Sequence, residues 1–288
     1  MSTGVLLWLR AETSVHVGAG ETASLIDLPI MREAATSYPY IPGSALKGAM
    51  KDAWRGKPGA MTGAAWKAQV DRIFGKEESA GEALVSDARL AFLPLRSLDH
   101  AFVLTTCPYL LRRLKRDYEF AGLQLQAFQS LAELDGKAEN IALLTAGSGE
   151  LGVEDQWLQG TGPATSDKAN EIYALVEAAT QEPAPVVVVS NALFGYFARR
   201  RIPVRMRNRL EPETKTVVSG ALWSEEALPP ETLLYTILTP RLAGATSPDE
   251  LASGLVEPRP YLQVGGNETV GEGWLRVFRA GSKAGGAI

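Results

Sequence analysis

Apolar residues in this chain recur at two periods, and the switches between them lay out its elements. Val5–Ala11 reads V-L-L-W-L-R-A, apolar at odd and even positions alike, which predicts a strand buried on both faces and central in a sheet. Tyr38-Pro39-Tyr40-Ile41-Pro42-Gly43 cannot be helical, because each proline drives its predecessor to extended geometry. From Ser44, a good N-cap, the period turns helical. Ala45, Leu46, Ala49, Met50, Ala53 and Trp54 make one face, and Lys47, Lys51 and Arg55 another. A short helix follows over 63–74, strands over Leu84 to Leu93 and 101–106, and a basic amphipathic helix over 108–118. Signals then weaken: a helix near 123–134, a strand at 141–144, a Gly/Thr-rich turn at 159–166 and a helix near 168–180. Val186 to Val189 is a buried strand. From Arg199 to Ser219 the chain reads as a hairpin whose first arm alternates basic and apolar residues, R-I-P-V-R-M-R-N-R. Strands at Leu233 to Leu238, 261–264 and Trp274 to Phe278, with a short helix at 248–254, complete an α+β pattern. Residues 281–288 read as a disordered tail, and no internal repeat is present.

Charge changes the picture more than composition does. The 288 residues suffice for one elaborated domain or two, and 45% hydrophobic with 22% charged residues is ordinary for a globular protein. A single cysteine, Cys107, excludes an intrachain disulfide and fits a reducing compartment. The start MSTGVLLWLRAET has neither the basic region nor the cleavage pattern of a signal peptide, so a soluble cytoplasmic protein is expected. The net charge of −4 weighs against a nucleic-acid binder, but the charges are segregated. Arg199, Arg200, Arg201, Arg205, Arg207 and Arg209 crowd one stretch and Arg112, Arg113, Lys115 and Arg116 another, while acidic residues gather in KEESAGE at 76–82. A segregated basic stripe is the footprint of a polyanion binder.

Few residues offer chemistry. Asp27 lies in an irregular segment broken by Pro29, where an aspartate ordinarily bonds local backbone N–H groups. Here the segment leads to a helix start bearing a row of cations, which suits an anionic guest. His16 sits in HVGAGETAS, a glycine loop that lacks the spacing of a P-loop; His100 has no motif around it. Glu225 and Glu226 follow the hairpin. GGNETVGEG at 265–273 superficially matches a dinucleotide fingerprint, but the WLRVF after it is a strand pattern, so a glycine-rich hairpin is the reading.

IDLPIMRE followed by YPYIPGSALKG resembles the N-terminal signature of the RAMP superfamily of CRISPR proteins, and more narrowly the repeated backbone subunit of type III-B effector complexes. LVSDARLAFLPLRSL at 84–98, TKTVVSGALWSEEALPPETLLY at 214–235 and GGNETVGEGW at 265–274 match in the family's order; 56–82 and 110–185 match poorly. The resemblance implies one RAMP-type domain over 1–288: a modified ferredoxin-like (RRM-like) palm, a β-hairpin thumb at 192–222, and helical insertions at 56–83 and 110–182. It implies that Asp27 is required for cutting target RNA and anchors a divalent metal, Mg2+ or Mn2+. One carboxylate is too few for a two-metal site and suits attack by the RNA's own 2′-OH. His16 and Glu226, with Glu225 as the alternative, are further catalytic candidates. Ser44, Lys47, Lys51, Gly265, Gly266 and Gly271 are implied to meet guide RNA. Arg205 and Arg207 would act on the thumb, where Ile202, Val204 or Met206 would wedge the duplex. The implied partners are guide RNA, single-stranded target RNA, further copies stacked head to tail and the other subunits of the complex, with no membrane. A non-catalytic scaffold of the same fold and a guide-processing ribonuclease are the competing readings. A small-molecule enzyme built on the glycine loops would leave the arginine arm without a purpose.

Overall fold

The two-faced apolar strand forms as β1 (Val5–Ala11), buried at every residue. Its partners come from the far end of the chain: Trp8 lies opposite Tyr235 on one side and Phe278 on the other, both antiparallel. The structure, a computed structural model, describes residues 4–20, 25–55, 63–123, 141–144, 149–160, 167–242, 246–256 and 259–281. After β1 come β2 (Tyr40–Ile41), α1 (Gly43–Arg55), α2 (Ala64–Phe74), β3 (Gly75–Lys76), β4 (Ser79–Ala80), β5 (Ala83–Val85), β6 (Ala88–Leu95), β7 (Val103–Thr106) and α3 (Pro108–Phe120). The middle of the chain gives β8 (Ile141–Leu144), β9 (Glu150–Val153), β10 (Gln156–Gly160), α4 (Asp167–Thr180), β11 (Val186–Val188) and α5 (Asn191–Arg200). The remainder is β12 (Val204–Leu210), β13 (Val217–Glu226), β14 (Leu233–Pro240), α6 (Pro248–Val256), β15 (Tyr261–Gln263) and β16 (Trp274–Arg279). Among the described residues no helix is long and apolar enough to cross a membrane.

One mixed sheet runs in the order β15-β16-β1-β14-β6-β7-β11-β8-β10-β9, with β2 and β5 pairing onto β6 and β14. The β7–β11 and β8–β10 pairs are parallel. The period of two in β1 sends Leu7 and Leu9 into one core with Leu46, Met50, Phe194, Phe197 and Leu251 of α1, α5 and α6. It sends Leu6 and Trp8 into a second core with Leu111, Leu114 and Tyr118 of α3 and Ile172 and Val176 of α4. The indole of Trp8 keeps its one donor satisfied there, giving it to the Tyr118 hydroxyl at 2.8 Å. Helices thus cover both faces, which is why β1 shows no polar side. Across the first core α6 meets α1 so closely that a methyl group on Gly254 would sit 1.7 Å from the Trp54 ring.

Three expectations change. α1 begins at Gly43, one residue before the Ser44 cap foreseen. The Asp87 carboxylate accepts the Gly43 N–H at 2.7 Å, so the cap comes from a neighbouring turn and Ser44 stands exposed in the first helical turn. The strand expected over Leu84 to Leu93 is cut into β5 and β6 by Ser86 and Asp87; the Ser86 hydroxyl accepts the Ile237 N–H at 2.9 Å. The basic amphipathic helix expected over 108–118 forms as α3 and buries Leu110, Leu111 and Leu114. Residues 192–200, assigned to the thumb, are helical. Ser190 caps α5 by accepting the Leu193 N–H, Phe194 and Phe197 face the core, and the arginines complement the dipole at the helix end. The hairpin itself is β12 and β13. The helix expected near 123–134, the end of the turn at 159–166 and the tail after 281 fall outside the described residues.

Candidate functional site

Three extended segments converge at the foot of the hairpin: 15–19, 27–31 and 224–228. Leu28 lies parallel to β13, donating its N–H to the Ser224 carbonyl at 3.0 Å and accepting the Glu226 N–H at 3.0 Å. On its other side the Met31 N–H reaches the Val17 carbonyl at 2.8 Å, and the Ala19 N–H reaches that of Pro29 at 2.9 Å. Val15 and Leu228 exchange a pair of backbone bonds, closing the third edge.

Asp27 is exposed at this junction but held in place. Its N–H donates to Ser224 Oγ at 2.9 Å, and its Oδ2 accepts both the Ser224 N–H and the Ser224 hydroxyl at 2.8 Å. The Ser224 N–H, and after it the hydroxyl, keep the carboxyl below the ordinary aspartate range. The side chain is therefore a fixed anion, with Oδ1 outside that ring of bonds.

His16 is buried in the first of these segments. Its Nδ1 lies 2.6 Å from the Glu226 carbonyl oxygen, which can only accept, so Nδ1 carries the proton. In the neutral ring Nε2 is then the basic nitrogen, and it faces Gly18, where a methyl would come within 2.8 Å of it. The Gly266 N–H donates to the His16 carbonyl at 2.8 Å. Gly265, at φ +92, packs so closely that a methyl would lie 2.2 Å from the same carbonyl, so backbone contact alone requires glycine there. Gly271, also at positive φ, lies farther along the loop.

The two glutamates divide by face. Glu226 shares the Ser224 face of β13; its Oε1 pairs with Arg32 at 2.5 Å and its Oε2 accepts the Ile30 N–H at 3.1 Å. Arg32 also donates to the carbonyls of Ser37 and Ala198 at 2.8 Å. Glu226 thus braces the Asp27 segment, with both oxygens engaged. Glu225 points the other way, into a cluster with Arg207 at 3.1 Å, Asn267 Nδ2 at 2.8 Å and, more distantly, Arg205 at 3.8 Å.

Arg205 and Arg207 do share one face of β12, as their spacing requires, but that face is closed. Both pair with Glu272 of the glycine-rich loop at 2.8 Å, because Glu225 stands directly across the ladder and the loop folds over both strands. The opposite face is open and apolar: Met206 is 64% exposed and Leu222 58%, and Met206 is the cross-strand partner of Ser224. Ile202 is buried and leaves the set of possible wedges.

Lys47 and Lys51 line a separate cleft of about 590 Å³ between α1 and the turn at 74–81. Lys47 donates to the Ala83 carbonyl at 3.0 Å; burial, and then the charges of Arg241 and Lys51, lower its pKa. Lys51 pairs with Asp71 at 3.4 Å and donates to the Gly75 carbonyl.

Among the described residues no group of three or more His, Cys, Asp or Glu side chains could hold a metal ion. The chain offers the Asp27 carboxylate, since Glu225 and Glu226 are compensated by arginines. That donor set suits Mg2+, which is commonly bound through one or two carboxylates and completed by water and phosphate oxygens. It does not make an all-protein cage.

Sequence reasoning reached Asp27, His16, Glu226 and the arginines but missed Ser224, Arg32, Asn267 and Glu272. Each lies in a stretch that matches the family, Arg32 in IDLPIMRE, Ser224 in 214–235, and Asn267 and Glu272 in 265–274, but only the converging segments show what it holds.

The RAMP superfamily model matches residues 8–276, almost the whole described fold. The chain belongs to the RAMP superfamily. Within it, this RAMP protein is 30% identical over 296 residues to the CRISPR system Cmr endoribonuclease Cmr4 of Pyrococcus furiosus, with 94% of each chain covered. It is 26% identical to the CRISPR system CMR subunit Cmr4 of Saccharolobus solfataricus, again over 94% of each. The RAMP fold here is similar to that of a chain in a type III-B Cmr-β complex bound to cognate target RNA, with TM-score 0.76, 24% identity and 96% and 97% of the two chains covered. It is also similar to oligomeric Cmr4 from Pyrococcus furiosus, with TM-score 0.74, 24% identity and coverage of 97% and 98%.

Proposed function

We propose that this chain is a repeated backbone subunit of a type III-B CRISPR effector complex, held along a guide RNA beside further copies of itself, and that it cuts the paired target RNA at Asp27. One observation carries the reading. The IDLP aspartate is a fixed, exposed anion at the foot of a hairpin whose adjoining face presents exposed Met206 and Leu222. Such side chains can stand against nucleobases while the carboxylate faces the backbone. Full-length similarity to a protein named a Cmr endoribonuclease supports the same conclusion.

β1, α1, β6, β14, α6 and β16 follow one another as βαββαβ, and their strands lie in the order β16-β1-β14-β6, all antiparallel. We take this as the ferredoxin-like palm, with β12 and β13 as its thumb.

In the reaction a ribose 2′-OH of the target attacks the adjacent phosphorus and gives up its proton, the P–O5′ bond breaks in line, the departing O5′ takes a proton from water, and a cyclic phosphate and a 5′-OH remain. The protein has to hold that geometry and remove the 2′ proton. Asp27 Oδ1, outside the bonds to Ser224, is our candidate for that proton, and His16 Nε2 is the second candidate. A divalent cation, if held between Asp27 and the RNA phosphate, would supply charge neutralisation at the phosphoryl oxygen. Ser44, Lys47 and Lys51 on α1, and Gly265, Gly266 and Gly271 in the glycine-rich loop, are the proposed guide contacts. A reconstituted complex with end-labelled target tests the reading. Cuts spaced by one subunit's footprint, lost on chelation, are expected; uncut target in the presence of divalent metal sinks it.

A further inference from the structure

The glycine-rich loop touches both flanks of the Asp27 junction. Gly266 donates to the His16 carbonyl. The next residue, Asn267, stands at φ 63 and ψ 25, a left-handed conformation uncommon for any residue but glycine, asparagine and aspartate. From there its amide Nδ2 gives one N–H to Glu225 Oε1 at 2.8 Å and the other to Glu272 Oε2 at 3.2 Å. These two carboxylates and the two arginines, Arg205 and Arg207, form a neutral cluster at the hairpin's foot. Glu225 sits between Ser224, which anchors Asp27, and Glu226, whose carbonyl orients His16.

We propose that Asn267 is a positioning residue, tying the glycine-rich loop to the strand that holds Asp27 and so setting both flanks of the site together. The proposal rests on Asp27 being at the cleavage site. Arg207 joins the same two carboxylates by charge, at 3.1 Å and 2.8 Å; Asn267 adds the neutral amide, whose bond to the buried Glu225 is a hydrogen bond to a charged acceptor and so of the stronger kind. Loop and strand move as one unit while it is made.

Two substitutions separate the amide from the backbone. Asn267→Gly keeps the left-handed turn at no steric cost and removes the bridge. Asn267→Asp keeps the shape and puts a third carboxylate among two. Amide hydrogen exchange on the purified chain should quicken about tenfold or more over residues 222–228 in Asn267→Gly, the worth of one hydrogen bond to a charged group, with α3 unchanged. In the reconstituted complex, single-turnover cleavage should fall by a similar factor at unchanged target affinity. Asn267→Asp should lose activity at pH 8 and regain it relative to wild type as the pH falls and the new carboxyl becomes a donor. Unchanged exchange over 222–228 overturns the proposal, as does faster exchange spread equally through α3 or a wild-type pH profile in Asn267→Asp. Asp27→Asn is the control for the underlying reading. If it cuts at full rate, the cleavage site lies elsewhere, and the exchange measurement still decides whether Asn267 ties loop to strand.

Discussion

Asp27 owes its fixed charge to Ser224. Because Ser224 lowers the folded-state pKa, the carboxylate's stabilising bonds are present above the ordinary aspartate pKa and are lost only as pH falls through the depressed value. Asp27 therefore stays charged throughout the neutral and mildly acid range, and any acid limb in the cleavage rate above pH ~4 comes from another group. Ser224→Ala removes the hydroxyl but keeps the backbone donor. An NMR titration should show the Asp27 pKa rising, and cleavage should slow; an unmoved pKa would take the hydroxyl out of the account. Asp27→Asn should cost about 10²–10⁴-fold in cutting, the scale of positioned proton transfer, with guide and target binding kept. A complex that no longer assembles would show a structural aspartate instead. Asp27 was legible because its neighbours Ile26, Leu28 and Pro29 form a recognisable signature. Ser224 was not, since it lies 197 residues away and its role exists only once the strands meet.

At the scale of elements, the hairpin departs most from its sequence. Alternating arginines were read as an exposed row, on which substitution to alanine moves stability by no more than ~0.5 kcal/mol. With Glu225 buried across the ladder, Arg207→Ala leaves a carboxylate short of its partner, and a loss of about 1–3 kcal/mol in urea denaturation is expected. A loss under ~0.5 kcal/mol would return these arginines to the open surface. The start of the hairpin was misplaced because three consecutive arginines obscured the helical spacing of Leu193, Phe194 and Phe197. The clean period of β1 made it legible to the residue, and α2 and even α4, in a weakly patterned stretch, fall within a residue of their expected bounds. The packing of α6 on α1 supplies a second test. Gly254→Ala should destabilise by about 1–3 kcal/mol, the cost of overpacking a filled core, because the added methyl meets the rigid indole of Trp54. A neutral result would mean the helices can part freely.

For the whole molecule, a net charge of −4 coexists with exposed cations on and around the hairpin: Arg199, Arg200, Arg209 and Lys215. Binding to single-stranded RNA should weaken steeply with salt as counterions are released. The double variant Arg209→Ala with Lys215→Ala should flatten the log–log slope by roughly 0.7 for each phosphate no longer neutralised. An unchanged slope removes the hairpin tip from the RNA surface. The order of the sheet had no local trace in the sequence. Strand pairing between residues near 8, 235 and 278 is written in no window of the chain, and only the two-sided burial of β1 hinted that it would be flanked.

That pairing sets a timetable for synthesis. β1 leaves the ribosome long before either of its partners, β14 and β16, so its two edges and two apolar faces wait while the intervening elements are made. Contacts so distant in sequence close slowly, and a stalled chain has a bare strand in search of any neighbour. The junction around Asp27 inherits the same delay, because His16 and Asp27 emerge early while Ser224, Glu226 and Gly266 emerge late. A nascent or prematurely ended polypeptide accordingly has no assembled site with which to damage the messages being read beside it. Stopping the chain before Trp274 should abolish soluble protein and cutting together; a soluble, active fragment would show that β1 needs only one of its two neighbours.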